Sequence, residues 1–348
     1  MTDKTIAAVL EQTGMPLAIK ELKIPSLLPG QVLVKVLYSG VCRSQLMEVR
    51  GDRGEDRWLP HLLGHEASGI VLDVGSGVTK VKPSDHVILT WIKGQGEDVS
   101  GGLFLDGERQ INSGPVTTFS HHTVVSENRV VLKPSSLAFD TAVLFGCALP
   151  TGAGMVINEL DIMQNHSVVV YGLGGIGTSA LLALLAMKIK TVIAIDLSED
   201  KLIKAKEFGA THCVNAMEPN LASIVSELTG GGADFCIESA GTVDSIEQGF
   251  ALIHHRGKLL FASHPRSGDM IQLSPHELIS GKKIAGSWGG GVFPDRDIPK
   301  IYTLFSGMTT SLDALLTKRY SLYQINDALD DLEAGRVFRP LIEMDHSK

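Results

Sequence analysis

Three residues of the kind that bind zinc, Cys42, His65 and Cys147, precede a glycine-rich turn and an acidic residue in this 348-residue chain. Two thiolates and one imidazole suit a catalytic zinc ion, because three protein ligands leave a fourth coordination position open. The turn, Gly172-Leu-Gly-Gly-Ile-Gly177, has the glycine spacing of a dinucleotide-binding loop, and Asp196 follows it. The sequence therefore predicts a metal centre and a nucleotide site in one chain.

The setting of the glycine turn makes it a specific signal. A bare G-x-G-x-x-G spacing is weak, since glycine is common in any tight turn. Here the turn follows a continuous apolar run and opens a helical stretch rich in alanine and leucine. Gly172 permits the tight turn, Gly174 lets the backbone approach a pyrophosphate, and Gly177 lets the helix pack close to its strand. With Gly175 and Ile176, these residues predict a phosphate site at a helix N-terminus.

Asp196 ends the next predicted strand and points to the choice of cofactor. A carboxylate at this place accepts hydrogen bonds from both ribose hydroxyls and repels a 2′-phosphate, which favours NAD over NADP. Lys201, on the helix that follows, is a candidate for orienting the ribose. The alternatives are a solvated strand-end carboxylate or helix cap for Asp196 and a surface lysine for Lys201.

Composition and charge limit the class of protein. The chain is 44% hydrophobic and 20% charged, and its formal charge of −8 argues against nucleic acid or an anionic membrane as its main partner. The sequence lacks a signal-peptide pattern and any apolar run long enough to span a membrane, so we expect a cytoplasmic protein. Four cysteines in so long a chain favour metal or catalytic use over a disulfide scaffold.

The sequence pattern changes along the chain. Short alternating strands separated by glycine and proline fill the first third and predict a small barrel-like β domain. Residues 94–114 are rich in glycine and charge, show no clear periodicity, and are long enough to form a functional lobe. From Ser167 to about residue 262, apolar strands alternate with helical stretches, which predicts an α/β fold with a doubly wound parallel sheet.

On these residues the chain resembles the zinc-dependent medium-chain alcohol dehydrogenases. The resemblance extends over essentially the whole chain and is carried by Gly-Val-Cys42-Arg-Ser, Gly64-His65-Glu66, Gly146-Cys147, the Gly172 turn, Asp196 and Phe338-Arg339. It implies a GroES-like catalytic domain over 1–148 and 291–348, a Rossmann NAD-binding domain over 149–290, and an active site in the cleft between them. It also implies an enzyme that interconverts an alcohol and its aldehyde or ketone by hydride transfer to or from NAD.

The resemblance assigns roles at the metal. Cys42, His65 and Cys147 would hold one catalytic zinc ion, and Glu66 would lie behind it or join it transiently. Ser44 would accept the hydroxyl proton of a small-molecule substrate. A structural carboxylate and a turn serine are the alternatives for Glu66 and Ser44.

The resemblance also implies cofactor contacts and assembly. Arg43 and Arg339 would bind the pyrophosphate, to which a guanidinium fork is suited, and their alternative is a surface arginine. Thr151 and Ile176 would pack near the nicotinamide, although both are ordinary core or turn residues. A homodimer or homotetramer is implied, formed through an edge strand near 284–292.

Three positions depart from the family. Residues 94–114 contain no cysteine, although many relatives carry four there that bind a structural zinc ion, so we expect one zinc ion per subunit. Met47 occupies the place of a histidine that relays the proton, which leaves the ribose, water or Glu48 as possible acceptors. Gln45 replaces the aspartate that orients the ligand histidine, a change that weakens an important supporting bond.

Two other functions fit the same sequence. A polyol, cyclitol or sugar dehydrogenase uses the same scaffold, and Cys147 favours the alcohol branch only moderately. A non-catalytic NAD-binding relative is the other alternative, and the retained zinc ligands argue against it.

Overall fold

The computed structural model describes residues 3–308 and 312–347 and divides into two compact units. The first unit comprises Met1–Cys147, Phe293–Pro299 and Ser311–Lys348. The second comprises Ala148–Val292 and Lys300–Thr310. The predicted metal ligands all belong to the first unit, and the glycine turn belongs to the second.

Strands are distributed over both units. In chain order they are β1 Lys4–Leu10, β2 Ala18–Lys23, β3 Gln31–Gly40, β4 His61–Leu62, β5 Glu66–Val74, β6 His86–Thr90, β7 Phe104–Asp106, β8 Arg109–Ile111, β9 His122–Ser126, β10 Val130–Leu132, β11 Ser167–Tyr171, β12 Thr191–Asp196, β13 His212–Asn215, β14 Ala233–Glu238, β15 Ile253–Phe261, β16 Lys283–Gly286, β17 Lys318–Ser321 and β18 Pro340–Glu343.

The α-helices lie mainly in the second unit. They are α1 Arg43–Arg50, α2 Phe139–Ala142, α3 Ala148–Ile157, α4 Gly175–Ala186, α5 Glu199–Phe208, α6 Leu221–Thr229, α7 Val243–Ala251, α8 Pro275–Ile279, α9 Pro294–Ser306 and α10 Ile325–Glu333. Within the described ranges, no single helix is both long and apolar enough to cross a membrane. The helical segments 139–146 and 148–157 reach that length and composition only when taken together.

The first unit is built on two mainly antiparallel sheets. One has the strand order β4-β1-β2-β7-β8, and the other has the order β10-β6-β5-β3-β18-β17, with β9 also paired to β3. Val32, Val34 and Val36 are buried at alternate positions of β3, because successive side chains of a strand point to opposite faces. The last strand, β18, pairs with β3 and sets Leu341 opposite Gly40. The C-terminal segment thereby reaches the part of the fold that carries Cys42.

The second unit is a parallel sheet with the order β13-β12-β11-β14-β15-β16. All five residues of β11 are buried, as expected of a strand covered on both faces. The chain runs outward from β11 to β13 and then returns to β14, so the strand order reverses between β11 and β14. Nucleotides bind at such a switch point in open α/β sheets. The predicted fold class, a doubly wound parallel sheet with a β-rich domain, is confirmed.

The segment without periodicity, residues 94–114, contains a short hairpin of β7 and β8 that extends the smaller sheet. Ion pairs fix the hairpin to the first strands: Lys20 Nζ lies 2.7 Å from an Asp106 oxygen, and Arg109 Nη1 lies 2.7 Å from a Glu11 oxygen. Strands of three residues are too short to show a period, which explains why the sequence pattern missed them.

The stretch before the hairpin is fixed by side chains that follow β9. The buried Glu127 carboxylate accepts hydrogen bonds from the backbone N–H groups of Thr79, Lys80 and Glu97, at 2.7, 2.9 and 3.0 Å. The Ser126 hydroxyl accepts from Val99 N–H at 3.0 Å and donates to the Glu97 carbonyl at 2.8 Å. Hydrogen bonds from within the chain therefore hold this segment, in which the sequence places no cysteine.

We predict that Glu127→Ala lowers the free energy of unfolding by about 2–4 kcal/mol, because three backbone N–H groups lose their hydrogen bonds to a carboxylate. Burial disfavours the charged carboxylate, but the three N–H donors more than offset this and hold the pKa of Glu127 below its usual value. The Glu127 carboxylate therefore contributes its full stabilisation above about pH 4.5, the pKa of the unfolded state. This stabilisation is lost as the pH falls through the lower pKa that Glu127 has in the folded state. Urea unfolding at pH 7 and pH 4 measures both effects.

The exposed Glu108 provides the control, since Glu108→Ala removes the same charge from the turn between β7 and β8. An E127A protein that is as stable as E108A at pH 7 would contradict this role of Glu127.

Candidate metal centre and nucleotide turn

Three separate turns of the first unit carry the predicted metal ligands. Cys42 is the N-cap of α1, directly after β3, and Cys147 follows the 3-10 turn Val143–Gly146. His65 lies between β4 and β5, after Gly64, which has a φ of +91°. A Cβ at Gly64 would overlap Thr118 and Phe119, so only glycine fits before this histidine.

The three side chains converge on one point. Three donor atoms lie within 4.8 Å of one another: Sγ of Cys42, a ring nitrogen of His65 and Sγ of Cys147. Nε2 of His65 is buried and has no hydrogen-bond partner among the described residues. A buried polar atom without a partner is costly, and a metal ion would satisfy it. The donor set therefore fits one zinc ion held by Cys42, His65 and Cys147.

The two thiols are electrostatically linked. The hydrogen bond from Cys147 lowers the pKa of Cys42 well below its ordinary value against the effect of burial, and the charge of Arg339 adds to this lowering. The same hydrogen bond, together with burial, raises the pKa of Cys147 well above its ordinary value. The first thiol to ionise is therefore that of Cys42, and a divalent cation bound to both sulfur atoms would favour the thiolate form of Cys147 as well, because thiolates are the zinc ligands.

Glu66 and Arg339 form a buried ion pair beside the ligands. Glu66 is completely buried, and burial raises the pKa of its carboxyl group while the charge of Arg339 opposes that rise. Cβ atoms at Gly40 and Gly146 would overlap Glu66, so the two glycines make room for its side chain. The guanidinium of Arg339 offsets the negative charge of Glu66 and of the Cys42 thiolate.

Gln45 contacts both ends of this site. Its Oε1 accepts from the Cys42 N–H at 3.1 Å, and its Nε2 contacts Nδ1 of His65. A His65 ring that binds zinc through Nε2 carries its proton on Nδ1, so the amide presents a donor where an acceptor is needed. Zinc binding therefore requires the Gln45 amide to turn its oxygen toward His65.

Three further residues that the sequence analysis singled out, Arg43, Ser44 and Met47, lie on α1. Ser44 is in its first turn, and the Ser44 hydroxyl is buried and without a partner among the residues described. Arg43 begins the helix and is exposed, whereas Arg339, the other arginine expected at a pyrophosphate, is only 6% exposed and is paired with Glu66. Met47 is half-buried on the same helix.

A second group of ligand-type side chains occurs at the far end of α1. Donor atoms of Glu48, Asp56 and His61 lie within 4.8 Å of one another. Nε2 of His61 is 2.8 Å from an Asp56 oxygen, and its Nδ1 is 2.9 Å from the Leu62 carbonyl oxygen. A hydrogen bond between His61 and Asp56 accounts for this group, which fixes the loop after α1.

In the second unit, the glycines of the turn have the properties that the motif predicts. Gly172 has a φ of +88°, and a Cβ there would lie 2.5 Å from the backbone nitrogen of Ala240. A Cβ at Gly177 would overlap the Gly172 carbonyl oxygen, so the helix and the turn are in close contact. Gly174, the N-cap of α4, has no atom within 4 Å of its Cβ position. Open space in front of a helix N-terminus suits a phosphate.

Asp196 holds the turn from the carboxyl end of β12. One of its oxygens accepts from Leu173 N–H at 2.6 Å, and the other accepts from Ser198 N–H at 2.9 Å. Lys201 Nζ is 3.6 Å from the carboxylate. Thr151 is buried in α3, and Ile176 is half-buried in the first turn of α4.

Known proteins resemble the chain in both units. A model described as zinc-binding dehydrogenase matches residues 175–306, and one described as alcohol dehydrogenase GroES-like domain matches residues 28–135. Benzyl alcohol dehydrogenase from Acinetobacter calcoaceticus is 30% identical, with a TM-score of 0.89 over 99% of this chain and 100% of its own. An alcohol dehydrogenase zinc-binding domain protein from Burkholderia ambifaria is 28% identical, with a TM-score of 0.91 over 99% of both chains. 2R,3R-butanediol dehydrogenase from Bacillus subtilis, 23% identical, shares the fold with a TM-score of 0.79 over 98% of this chain and 100% of its own.

A β-rich unit with a zinc-type ligand set, followed by a parallel sheet with a glycine turn, defines a zinc-binding dehydrogenase. The chain belongs to the medium-chain alcohol dehydrogenase family, which is a family of oxidoreductases. The resemblance read from the sequence is confirmed, and so is the GroES-like character of the β-rich part.

Sequence reasoning missed the ion-pair partner of Glu66 and the buried carboxyl group of Glu238. The pairing of Glu66 with Arg339 joins residues that are far apart in sequence and depends on β18 returning to β3. Glu238, at the end of β14, is completely buried beside the glycine turn. The sequence did contain a signal for Glu238, because an acidic residue at the end of an apolar strand is the pattern that identified Asp196.

We predict that Gln45→Asp tightens zinc binding about tenfold, because a carboxylate accepts from Nδ1–H of His65 and orients the ring for the metal. Competition with a chromophoric chelator measures the dissociation constant. Gln110→Asp, which adds the same charge at an exposed position of β8, is the control. Equal zinc affinities in wild type and Q45D would contradict this role of Gln45.

Proposed function

We propose that this protein is a zinc- and NAD-dependent oxidoreductase that interconverts an alcohol and its aldehyde or ketone. The observation that carries the proposal is the convergence of Cys42, His65 and Cys147, with Nε2 of His65 buried and unpartnered among the described residues. A glycine turn with an acidic partner in the same chain supports nicotinamide as the hydride acceptor.

The residues of the metal centre supply charge and position. Zinc, when held by the two thiolates and the imidazole, acts as a Lewis acid on an oxygen atom of the substrate. Arg339 balances the negative charge of Glu66 and Cys42, so a neutral alcohol meets a site without a large excess of charge. We assign Arg43 to the pyrophosphate of the cofactor, where its exposed guanidinium suits phosphate.

Ser44 is the proposed acceptor of the hydroxyl proton. Its buried hydroxyl has no partner in the described part of the chain and is free to accept a hydrogen bond from an alcohol. Met47 on the same helix has no titratable group, so the proton leaves by water, by a ribose hydroxyl or by a carboxylate such as Glu48.

The substrate range is proposed from the surroundings of His65. The ring centroids of Trp91 and His65 are 6.4 Å apart, which places an indole beside the metal ligands. The relative from Acinetobacter calcoaceticus is named as a benzyl alcohol dehydrogenase. An aromatic primary alcohol is therefore the first substrate to test.

NAD reduction across primary, secondary, aromatic and polyhydric alcohols tests the proposal, together with zinc content per subunit. We predict one zinc ion and NAD-linked turnover for the wild type, and loss of both in Cys147→Ser, because one ligand is removed. Cys213→Ser, a change at a half-buried cysteine of β13, keeps both. NADH binding confirms that C147S retains its second unit.

Three results would overturn the assignment. Unchanged turnover after zinc removal would exclude the metal role. Much faster turnover of polyols would assign the protein to the polyol branch. Bound NADH without turnover of any alcohol or aldehyde would indicate a non-catalytic relative.

We predict that Asp196→Ser reduces the preference for NAD over NADP at least tenfold, because it removes a carboxylate that repels the 2′-phosphate. The ratio of kcat/KM for the two cofactors measures the change and does not depend on the amount of active enzyme. Asp200→Ser, at an exposed position of α5, is the control for loss of charge. An unchanged ratio in D196S would remove Asp196 from cofactor selection.

A further inference from the structure

Glu238 ends β14 and lies beside the glycine turn on the side opposite Asp196. Tyr171, the last residue of β11, is paired in register with Glu238 on one side and with Ile195 on the other. The side chain of Glu238 is completely buried. Two acidic residues therefore flank the turn, each at the end of a strand adjacent to β11.

One oxygen of Glu238 closes the turn that follows β14. Its Oε1 accepts from the N–H groups of Ala240 and Gly241 and from the Ser245 hydroxyl, each at 2.8 Å. Ser245 lies in the first turn of α7, whose N-cap is Thr242. The carboxyl group therefore fixes residues 239–242 and the start of α7 together.

The turn fixed by Glu238 packs directly on the glycine turn. Ser239 donates from its N–H to the Tyr171 carbonyl at 2.8 Å and from its hydroxyl to the Gly172 carbonyl at 2.7 Å. The Cβ position of Gly172 is 2.5 Å from the nitrogen and 2.8 Å from the Cα of Ala240. No space separates the two turns, so a shift of Ala240 displaces Gly172.

The second oxygen of Glu238 indicates that an acceptor is needed here and not a charge. Oε2 is buried and makes no hydrogen bond with the described residues. Burial raises the pKa of the carboxyl group although three donors oppose the rise. Burial thus disfavours negative charge next to the glycine turn, while Oε1 still accepts from the three donors.

We propose that Glu238 is a positioning residue of the dinucleotide site, which braces residues 239–242 against the glycine turn and so fixes the N–H groups that bind the diphosphate. The proposal rests on the proposed use of NAD. Because the brace acts through hydrogen-bond acceptance, glutamine replaces glutamate at this position and alanine does not.

NADH fluorescence titration of wild type, Glu238→Ala, Glu238→Gln and Asp234→Ala tests this proposal. We expect E238A to bind NADH at least tenfold more weakly, because the backbone N–H groups of Ala240 and Gly241 lose their acceptor and the turn shifts. E238Q keeps the amide oxygen and is expected to bind within about threefold of wild type.

Asp234 is a matched control at the opposite end of the same two strands. Its carboxylate accepts from the N–H and the hydroxyl of Ser167 at 2.7 and 2.8 Å, so D234A weakens the contact of β14 with β11 away from the glycine turn. We expect D234A to bind NADH like wild type. Thermal unfolding and zinc content show whether each variant remains folded in both units.

The outcomes separate the proposal from the proposed function. Three results would each overturn the positioning role. The first is an E238A protein that binds NADH as tightly as wild type. The others are an E238Q or a D234A protein that binds NADH as weakly as E238A. A wild-type protein that binds neither NADH nor NADPH would refute the nucleotide function itself, and the positioning role with it. In steady-state kinetics, a raised KM for NAD in E238A, together with an unchanged zinc content, supports the proposal.

Discussion

The buried ion pair of Glu66 and Arg339 is the interaction on which the metal centre depends. The buried Glu66 carboxylate lies beside the sulfur atoms of Cys42 and Cys147, and without a cation the negative charges of the carboxylate and the thiolates would repel one another. The guanidinium of Arg339 supplies that cation, and two glycines leave space for the carboxylate beside it. Removal of one partner from such a pair costs about 3–5 kcal/mol, because the other charge is left buried and unpaired.

Carboxyl groups at strand ends organise the second unit in a related way, but each accepts hydrogen bonds in a different pattern. Asp196 accepts one backbone N–H on each oxygen, and Lys201 Nζ lies 3.6 Å from its carboxylate. Glu238 takes three donors on one oxygen, and burial favours its neutral form. The same type of side chain thus takes different sets of donors on the two sides of one turn.

Local patterns in the sequence were sufficient for the parts of the fold that depend on local physics. The apolar run of β11, the glycines at 172, 174 and 177, and Asp196 after β12 identified the nucleotide turn, because each glycine has a distinct steric cause. The hairpin of β7 and β8 was missed, since three-residue strands have no readable period. The partner of Glu66 was also missed, because its position is set by the pairing of β18 with β3, which depends on tertiary structure.

Because β18 pairs with β3, the site around Glu66 combines residues that are synthesised at very different times. The ribosome releases Cys42, His65 and Cys147 early, and Ala148–Val292 follows as an uninterrupted segment. Arg339 and the strand that follows it, β18, emerge after this segment. A nascent chain therefore holds its zinc ligands for most of its translation without the guanidinium that balances their charge. The ion pair of Glu66 with Arg339 therefore becomes possible only after the strands of the parallel sheet have been synthesised.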